Sequence, residues 1–304
     1  MIARALATAA LLLAACGRSN ESILRELERD DPRLDAVLER GGAAVPARGD
    51  LRATTLPMRG RIPTVDGSVN GVGMPLVLDT GTSHVSLAGP AARDARVHVP
   101  RREATSVLAP GHDVPHRLAV FETLDVGGMS CGPGVATVAD REASHWRGAI
   151  VGCSVLSRFR VTFDFRRDEV RLAPHGGPGY AHTLFTQVEV NGKPYWMLVD
   201  SGASRVVLEP WMAVDLGLIT QEEAVGLATK AERETGVRRA RVRLETVKVS
   251  GREFPDVPGW VLATIAGGSE THGTPVGGLL GLKAFGPLAW TLDFGAKRLT
   301  VEGG

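Results

Sequence analysis

An internal repeat constrains the fold of this 304-residue chain more than any other feature of its sequence. SVNGVGMPLVLDTGTSHVSL (68–87) matches EVNGKPYWMLVDSGASRVVL (189–208), and in both copies an asparagine lies nine residues before an aspartate. Asn-Gly is a strong hairpin signal, and the apolar run after it indicates a strand that ends in an acidic turn. The repeat therefore predicts two similar units in one chain.

A second pair of matching segments follows each acidic turn. AIVGCSVLSRFRVTFDF (149–165) corresponds to LLGLKAFGPLAWTLDF (279–294), and an aspartate lies twelve residues after each shared glycine. These two aspartates, Asp164 and Asp293, fall inside predicted strands, so we expect a structural role for them. Each unit thus runs from a hairpin through Asp-[Thr/Ser]-Gly and a variable middle to an apolar-apolar-Gly strand and a closing hairpin.

Composition favours an all-β chain. The 37 glycines and 18 prolines supply many turns between short apolar runs, and 220–231 is one of the few helical candidates. We place the two units at 56–178 and 179–304. The formal net charge of +1 gives no reason to expect a nucleic-acid partner.

The N-terminus has the features of an export signal. MIARALATAALLLAAC (1–16) contains one arginine, an apolar run too short to span a bilayer comfortably, and Leu-Ala-Ala-Cys. Leu-Ala-Ala-Cys resembles a bacterial lipobox, which would make Cys16 the lipidated first residue of the mature protein. The alternative is a plain signal peptide with an incidental cysteine. No aspartate follows Cys16, which favours an outer membrane destination, facing the periplasm or the cell surface.

Residues 17–55 are predicted to be a helical spacer and linker. Apolar residues recur at helical spacing on both sides of Pro32, which divides the segment into two short pieces. The alternative is a prosegment that covers the active site.

The paired motifs resemble those of the pepsin and retropepsin type of aspartic peptidase, over roughly residues 56–303. The resemblance rests on LDTGT (78–82), VDSGA (199–203), IVG (150–152) and LLG (279–281). It implies a bilobal acid-protease fold, all-β, with the active-site cleft between the two lobes. It also implies a peptide or protein substrate, and neither a cofactor nor a metal.

The catalytic pair predicted by this resemblance is Asp79 and Asp200. Two carboxylates a few ångströms apart cannot both ionise easily, so they share one proton and activate a water between them. Gly81 and Gly202 allow close approach of the backbone to the carboxylates. A symmetric pair of acids needs two equivalent loops, which the repeat supplies.

The resemblance also assigns supporting roles around the pair. The Thr80 and Ser201 hydroxyls would each brace the opposite loop, and Thr82 would donate to Asp79, which Ala203 cannot do for Asp200. The supporting glycines of the strands behind the two loops are Gly152 and Gly281.

A hairpin that closes over substrate is the other element implied by the family. The candidates are 104–121, with a turn at Pro110-Gly111, and 231–244. The flap tyrosine of pepsins is absent, because the only tyrosines are Tyr180 and Tyr195.

Histidine and cysteine chemistry is less well defined. His112 and His116 are four residues apart, but no third or fourth metal ligand can be placed. In an exported protein Cys131 and Cys153 are candidates for a disulfide, and the alternative is two buried free thiols.

Taken together, the sequence predicts an exported, lipid-anchored aspartic endopeptidase that works as a monomer. One alternative is a non-catalytic peptide-binding lipoprotein with the same fold. Another is an active site built from lobes of different chains, as in retropepsin dimers, although one copy of each motif in tandem favours assembly within one chain.

Overall fold

The computed structural model describes residues 53–60, 62–99, 103–109, 112–139, 148–174, 183–230, 239–262, 270–271 and 273–302. For 103–109, 112–116, 139, 228–230 and 270–271 it describes the backbone alone. The signal segment with Cys16, nearly all of the spacer, and the predicted boundary at 178/179 lie outside these residues. None of the described helices is long and apolar enough to cross a membrane.

The described chain consists mostly of strands, in agreement with the all-β prediction. The strands are β1 (Thr54–Pro57), β2 (Thr64–Val69), β3 (Val72–Leu78), β4 (Val85–Ala88), β5 (Glu103–Ala109), β6 (His112–Phe121), β7 (Leu124–Val126), β8 (Met129–Cys131), β9 (Gly134–Ala139), β10 (Ala149–Val151), β11 (Phe159–Asp164), β12 (Glu169–Pro174), β13 (Phe185–Val190), β14 (Lys193–Asp200), β15 (Val206–Leu208), β16 (Ala240–Val249), β17 (Arg252–Val261), β18 (Glu270–Thr271), β19 (Thr274–Gly281), β20 (Ala289–Asp293) and β21 (Arg298–Glu302). The helices are α1 (Gly89–Asp94), α2 (Cys153–Leu156), α3 (Pro210–Asp215), α4 (Gln221–Lys230) and the 3-10 helix η1 (Leu282–Phe285).

Each predicted unit forms its own sheet. The first lobe is a nine-stranded sheet in the order β5-β6-β9-β4-β10-β3-β2-β7-β8. The second is a seven-stranded sheet in the order β14-β13-β16-β17-β15-β19-β18, with β14 also paired to β19. The bilobal all-β architecture predicted from the repeat is confirmed.

The two Asn-Gly pairs form equivalent hairpin turns. Asn70 and Gly71 join β2 to β3, and Asn191 and Gly192 join β13 to β14, with all four φ angles between 47° and 80°. Two successive positive φ angles match the right-handed twist of the flanking strands, which is why Asn-Gly is favoured there. Both turns therefore start the strand that leads to the acidic turn of their lobe.

A third sheet joins the lobes, in the order β1-β12-β11-β20-β21. It contains both closing hairpins, which pair through β11 and β20, so these hairpins are shared between lobes rather than confined to one each. Its inner face packs large side chains such as Phe163 and Trp290 into the core. β1 begins at Thr54, so this strand crosses the boundary predicted at residue 55.

Candidate active site

The two predicted aspartates lie at the ends of equivalent strands. Asp79 directly follows β3, and Asp200 is the last residue of β14. In the first lobe β10 pairs parallel to β3 and antiparallel to β4, and in the second β19 pairs in the same way with β14 and β15. The apolar-apolar-Gly strand thus lies between the strands that enter and leave each acidic turn.

Crossed hydrogen bonds tie the two acidic turns together. The Thr80 hydroxyl donates to the Val199 carbonyl (2.9 Å) and accepts from the Ser201 N–H (3.0 Å). The Ser201 hydroxyl donates to the Leu78 carbonyl (2.7 Å) and accepts from the Thr80 N–H (3.0 Å). Both hydroxyls are buried, so these bonds fix the turns relative to one another. The bracing expected of Thr80 and Ser201 is present in the structure.

Each carboxyl group packs against the glycine of the opposite turn. A Cβ placed on Gly81 would lie 2.6 Å from Cγ of Asp200, and one placed on Gly202 would lie 2.6 Å from Cγ of Asp79. Only glycine allows this approach, since carbon atoms in contact are normally about 3.5–4.0 Å apart. The structure therefore brings the two aspartates together, within hydrogen-bonding range of each other.

The two carboxylates have different hydrogen-bond donors. Asp79 Oδ1 accepts from the Gly81 N–H (2.8 Å), whereas Asp200 Oδ1 accepts from the Ala203 N–H (2.9 Å). Among the described residues, the structure shows no hydrogen bond from the Thr82 hydroxyl to Asp79, which was expected from the resemblance. The Thr82 carbonyl instead accepts the Cys153 N–H (2.9 Å).

Burial controls the ionisation of the pair. It raises the pKa of Asp79 above its ordinary value, opposed chiefly by the hydrogen bond from Gly81. It raises the pKa of Asp200 well above the ordinary value, and the negative charge of Asp79 raises it further. Two acids in this arrangement hold one proton between them over a wide pH range and titrate as a unit.

Comparison with known proteins agrees with this geometry. Residues 186–284, about a third of the chain, match the model of the aspartyl protease family. The predicted resemblance to aspartic peptidases is confirmed. The matched segment runs from β13 to η1 and includes Asp200 and Gly281.

Similarity to solved structures is weaker. A retropepsin-like aspartic protease from Rickettsia conorii is 19% identical, with a TM-score of 0.31, over 40% of this chain and 89% of that chain. No curated protein matches the sequence significantly.

The glycines predicted to support the two acidic turns lie directly against the segments that follow those turns. A Cβ on Gly152 would lie 2.4 Å from the His84 carbonyl oxygen, and one on Gly281 would lie 2.1 Å from the Arg205 carbonyl oxygen. Both carbonyls belong to the segment that comes after the acidic turn. No larger residue fits there without moving the loop.

The first flap candidate forms a hairpin in the backbone. β5 pairs antiparallel with β6, and β6 continues into the sheet through β9. The turn at Pro110-Gly111 and the side chains of His112 and His116 lie outside the described residues. In the second candidate, 231–238 lie outside them, and the remainder is Arg239 and the first half of β16.

The predicted disulfide is wrong. Cys131 and Cys153 are free and buried, which was the alternative interpretation. Cys131 ends β8, at one edge of the first sheet, whereas Cys153 begins α2 behind the first acidic turn. Burial raises the pKa of Cys131 to about 11 and that of Cys153 well above its ordinary value.

The two aspartates of the closing hairpins form ion pairs. Asp164 pairs with Arg166 and Arg167, and the hydrogen bond from Arg166 lowers its pKa to about 2. Asp293 pairs with Arg160 across the sheet (3.0 Å). These contacts agree with the structural role expected for both.

One neighbour of the site was missed from the sequence. The Cys153 thiol donates a hydrogen bond to the Thr80 carbonyl (3.3 Å), inside the first acidic turn. Its position directly after Gly152 was the available signal, because that glycine was already expected to lie behind the turn.

Proposed function

We propose that this protein is an exported, lipid-anchored aspartic endopeptidase. The observation that carries the proposal is the mutual packing of Asp79 and Asp200, each against the glycine of the opposite turn. A structural role alone gives no reason to bury two acids face to face, because their desolvation and repulsion destabilise the fold.

The chemistry depends on one proton held by two carboxyl groups. The ionised carboxylate accepts a proton from a water molecule, which then attacks the carbonyl carbon of a peptide bond. The protonated partner donates to the carbonyl oxygen, and proton transfer to the nitrogen releases the amine. The Gly81 and Ala203 N–H groups hold the carboxylates in place and favour their ionised forms.

Cleavage within a polypeptide is supported by the arrangement of the two lobes. Both acidic turns come from one chain, and the β5–β6 hairpin supplies a candidate flap. We therefore propose a monomer that cuts peptides or unfolded protein, without nucleic acid as a partner.

The anchor and the destination rest on residues 1–18. The apolar run and Cys16 favour lipidation, and the absence of an aspartate after Cys16 favours the outer membrane. The segment 17–55 would then hold the lobes away from the membrane surface.

A peptide-library cleavage assay tests the activity. Protein starting after Cys16 would be assayed from about pH 3 to 8, because the pair must hold one proton. Asp79→Asn and Asp200→Asn should abolish cleavage, whereas Asp66→Asn, at a side chain that is 74% exposed, should not. Full activity in Asp79→Asn or Asp200→Asn would refute the proposal. It would also be refuted if the wild type binds peptide but cleaves none at any pH.

Lipidation is tested separately on the full chain. Fatty-acid labelling and membrane fractionation of the wild type should show a labelled, membrane-bound protein, and Cys16→Ser should lose both properties. An unlabelled wild type would contradict the anchor and leave the peptidase proposal intact.

A further inference from the structure

Helix α2 holds the first acidic turn from behind. The Cys153 N–H donates to the Thr82 carbonyl (2.9 Å), and the Ser154 N–H donates to the Ser83 carbonyl (2.8 Å). In the third hydrogen bond, the Cys153 thiol donates to the Thr80 carbonyl (3.3 Å). Three donors from one short helix therefore meet three carbonyls of the turn.

The bond from the thiol acts on the peptide unit that also contacts the catalytic carboxylate. The Thr80 carbonyl and the Gly81 N–H belong to one planar peptide group and point in opposite directions. The Gly81 N–H donates to Asp79 Oδ1 (2.8 Å). A donor on the carbonyl end thus fixes the orientation of the N–H, and it polarises the group so that the N–H becomes a better donor.

The thiol is suited to this position at every working pH. Cys153 is fully buried, and burial raises the pKa of its thiol well above the ordinary value. The negative charges of Asp79 and Asp200 raise that pKa further. The thiol therefore stays protonated and keeps its hydrogen for the carbonyl.

The second turn lacks a thiol at the equivalent position. Leu282 takes the place of Cys153 directly after Gly281, and its side chain is apolar and buried. In the part of the chain that the structure describes, no hydrogen bond joins η1 to Ala203 or Ser204. The thiol bond is therefore specific to the turn that carries Asp79.

We propose that Cys153 is a positioning residue, whose thiol orients the Thr80–Gly81 peptide and so stabilises the ionised form of Asp79. This inference rests on the proposed peptidase function and extends it. The described titratable groups that act on Asp79 from packed elements are Asp200, on the opposing turn, and Cys153 itself.

The test compares Cys153→Ala, Cys153→Ser and Cys131→Ala. Without the thiol the Gly81 hydrogen bond weakens, so the pKa of Asp79 should rise and the acidic limb of the pH profile of kcat/KM should move to higher pH. We expect roughly a threefold to fivefold loss of kcat in Cys153→Ala with KM unchanged, from the loss of one weak hydrogen bond. Cys153→Ser keeps a donor and should restore both the rate and the limb.

Cys131→Ala is the matched control, because it removes another buried thiol far from the turn along the chain. It should leave the pH profile unchanged even if it lowers the melting temperature. The inference is overturned if Cys153→Ala lowers the melting temperature but keeps the wild-type pH profile.

A carboxyl titration separates this inference from the proposed function. Carbon-13 NMR of labelled aspartates reports the lower macroscopic pKa of the pair without any need for activity. Cys153→Ala should raise that pKa, and Cys153→Ser should not. If the wild type cleaves nothing, the peptidase proposal fails, whereas the same titration in all three variants still decides the role of Cys153.

Discussion

The contact between each carboxyl group of the proposed catalytic pair and the opposite glycine gives the sharpest prediction. In Gly81→Ala, the new methyl carbon would lie 2.6 Å from Cγ of Asp200 and 2.8 Å from both of its oxygens. Normal carbon contacts are about 3.5–4.0 Å, so the turns must separate by roughly 1 Å. A misplacement of about 1 Å at reacting groups can reduce the rate on the order of a hundredfold. We expect a loss of kcat of that size.

Initial rates on a cleaved peptide, together with thermal melts, would measure this effect. Gly202→Ala should behave in the same way, because its methyl group would meet Asp79 at the same distance. Gly73→Ala is the control, since a Cβ there has no neighbour within 4 Å. Wild-type kcat in a folded Gly81→Ala protein would show that the turns are not in contact and would refute the geometry of the dyad.

Three further predictions concern stability and thiol access. Burial raises the pKa of Asp79 and Asp200, so the contribution of this pair to stability is fully present below the ordinary carboxyl pKa and is lost as pH rises towards the folded-state pKa values. Asp200→Asn should therefore melt higher than wild type at pH 7, and an equal or lower melting temperature there would contradict this. The pKa of Asp164 is lowered to about 2, so its ion pairs stabilise the fold above pH 4 and this stabilisation is lost as pH falls to about 2. Asp164→Asn should therefore lower the free energy of unfolding by roughly 1–2 kcal/mol at pH 7 and by little at pH 2. Urea titrations measure this, and a loss that does not depend on pH would be the contrary result. Cys131 and Cys153 are free and buried, so they should react with a thiol reagent only after denaturation. A reductant should not change the melting temperature of protein starting after Cys16, and a melting temperature that falls with reductant would show a disulfide.

The pairing of Asp79 with Asp200 could be predicted because the residues that position each aspartate occur twice, each time within a short stretch of sequence. Val-Asn-Gly specifies a turn, the apolar run specifies a strand, and Asp-[Thr/Ser]-Gly specifies the acidic turn at its end, all within 20 residues. Local patterns of this kind depend little on the rest of the chain. Because the pattern occurs twice, symmetry is enough to expect Asp79 and Asp200 to meet.

Pairings that depend on distance through space could not be predicted in the same way. Cys131 and Cys153 satisfied the only criterion that a sequence offers, an even number of thiols in a protein predicted to be exported. Their separation depends on how β8 and α2 are placed in the first lobe. The contact between the Cys153 thiol and Thr80 was missed for a related reason. Gly152 indicated that Cys153 lies behind the turn, but nothing local indicates which carbonyl a buried thiol meets.

The third sheet, here called the joining sheet, is an intermediate case for prediction. The register of its β11–β20 pairing is a consequence of the repeat. Thr162 and Thr291 each lie ten residues after the loop-supporting glycine of their lobe, so they are equivalent positions. They are paired in register between β11 and β20, and their hydroxyl oxygens are 2.8 Å apart. A residue can pair with its own equivalent only on a two-fold axis.

The dyad obeys the same relation, since Gly81 meets Asp200 as Gly202 meets Asp79. One approximate two-fold axis therefore relates both the acidic turns and the closing hairpins. A change that shifts the β11–β20 register should alter the relation between the lobes, and with it the distance between the two carboxyl groups. The joining sheet and the paired acidic turns thus obey the same two-fold relation, which follows from the repeat in the sequence.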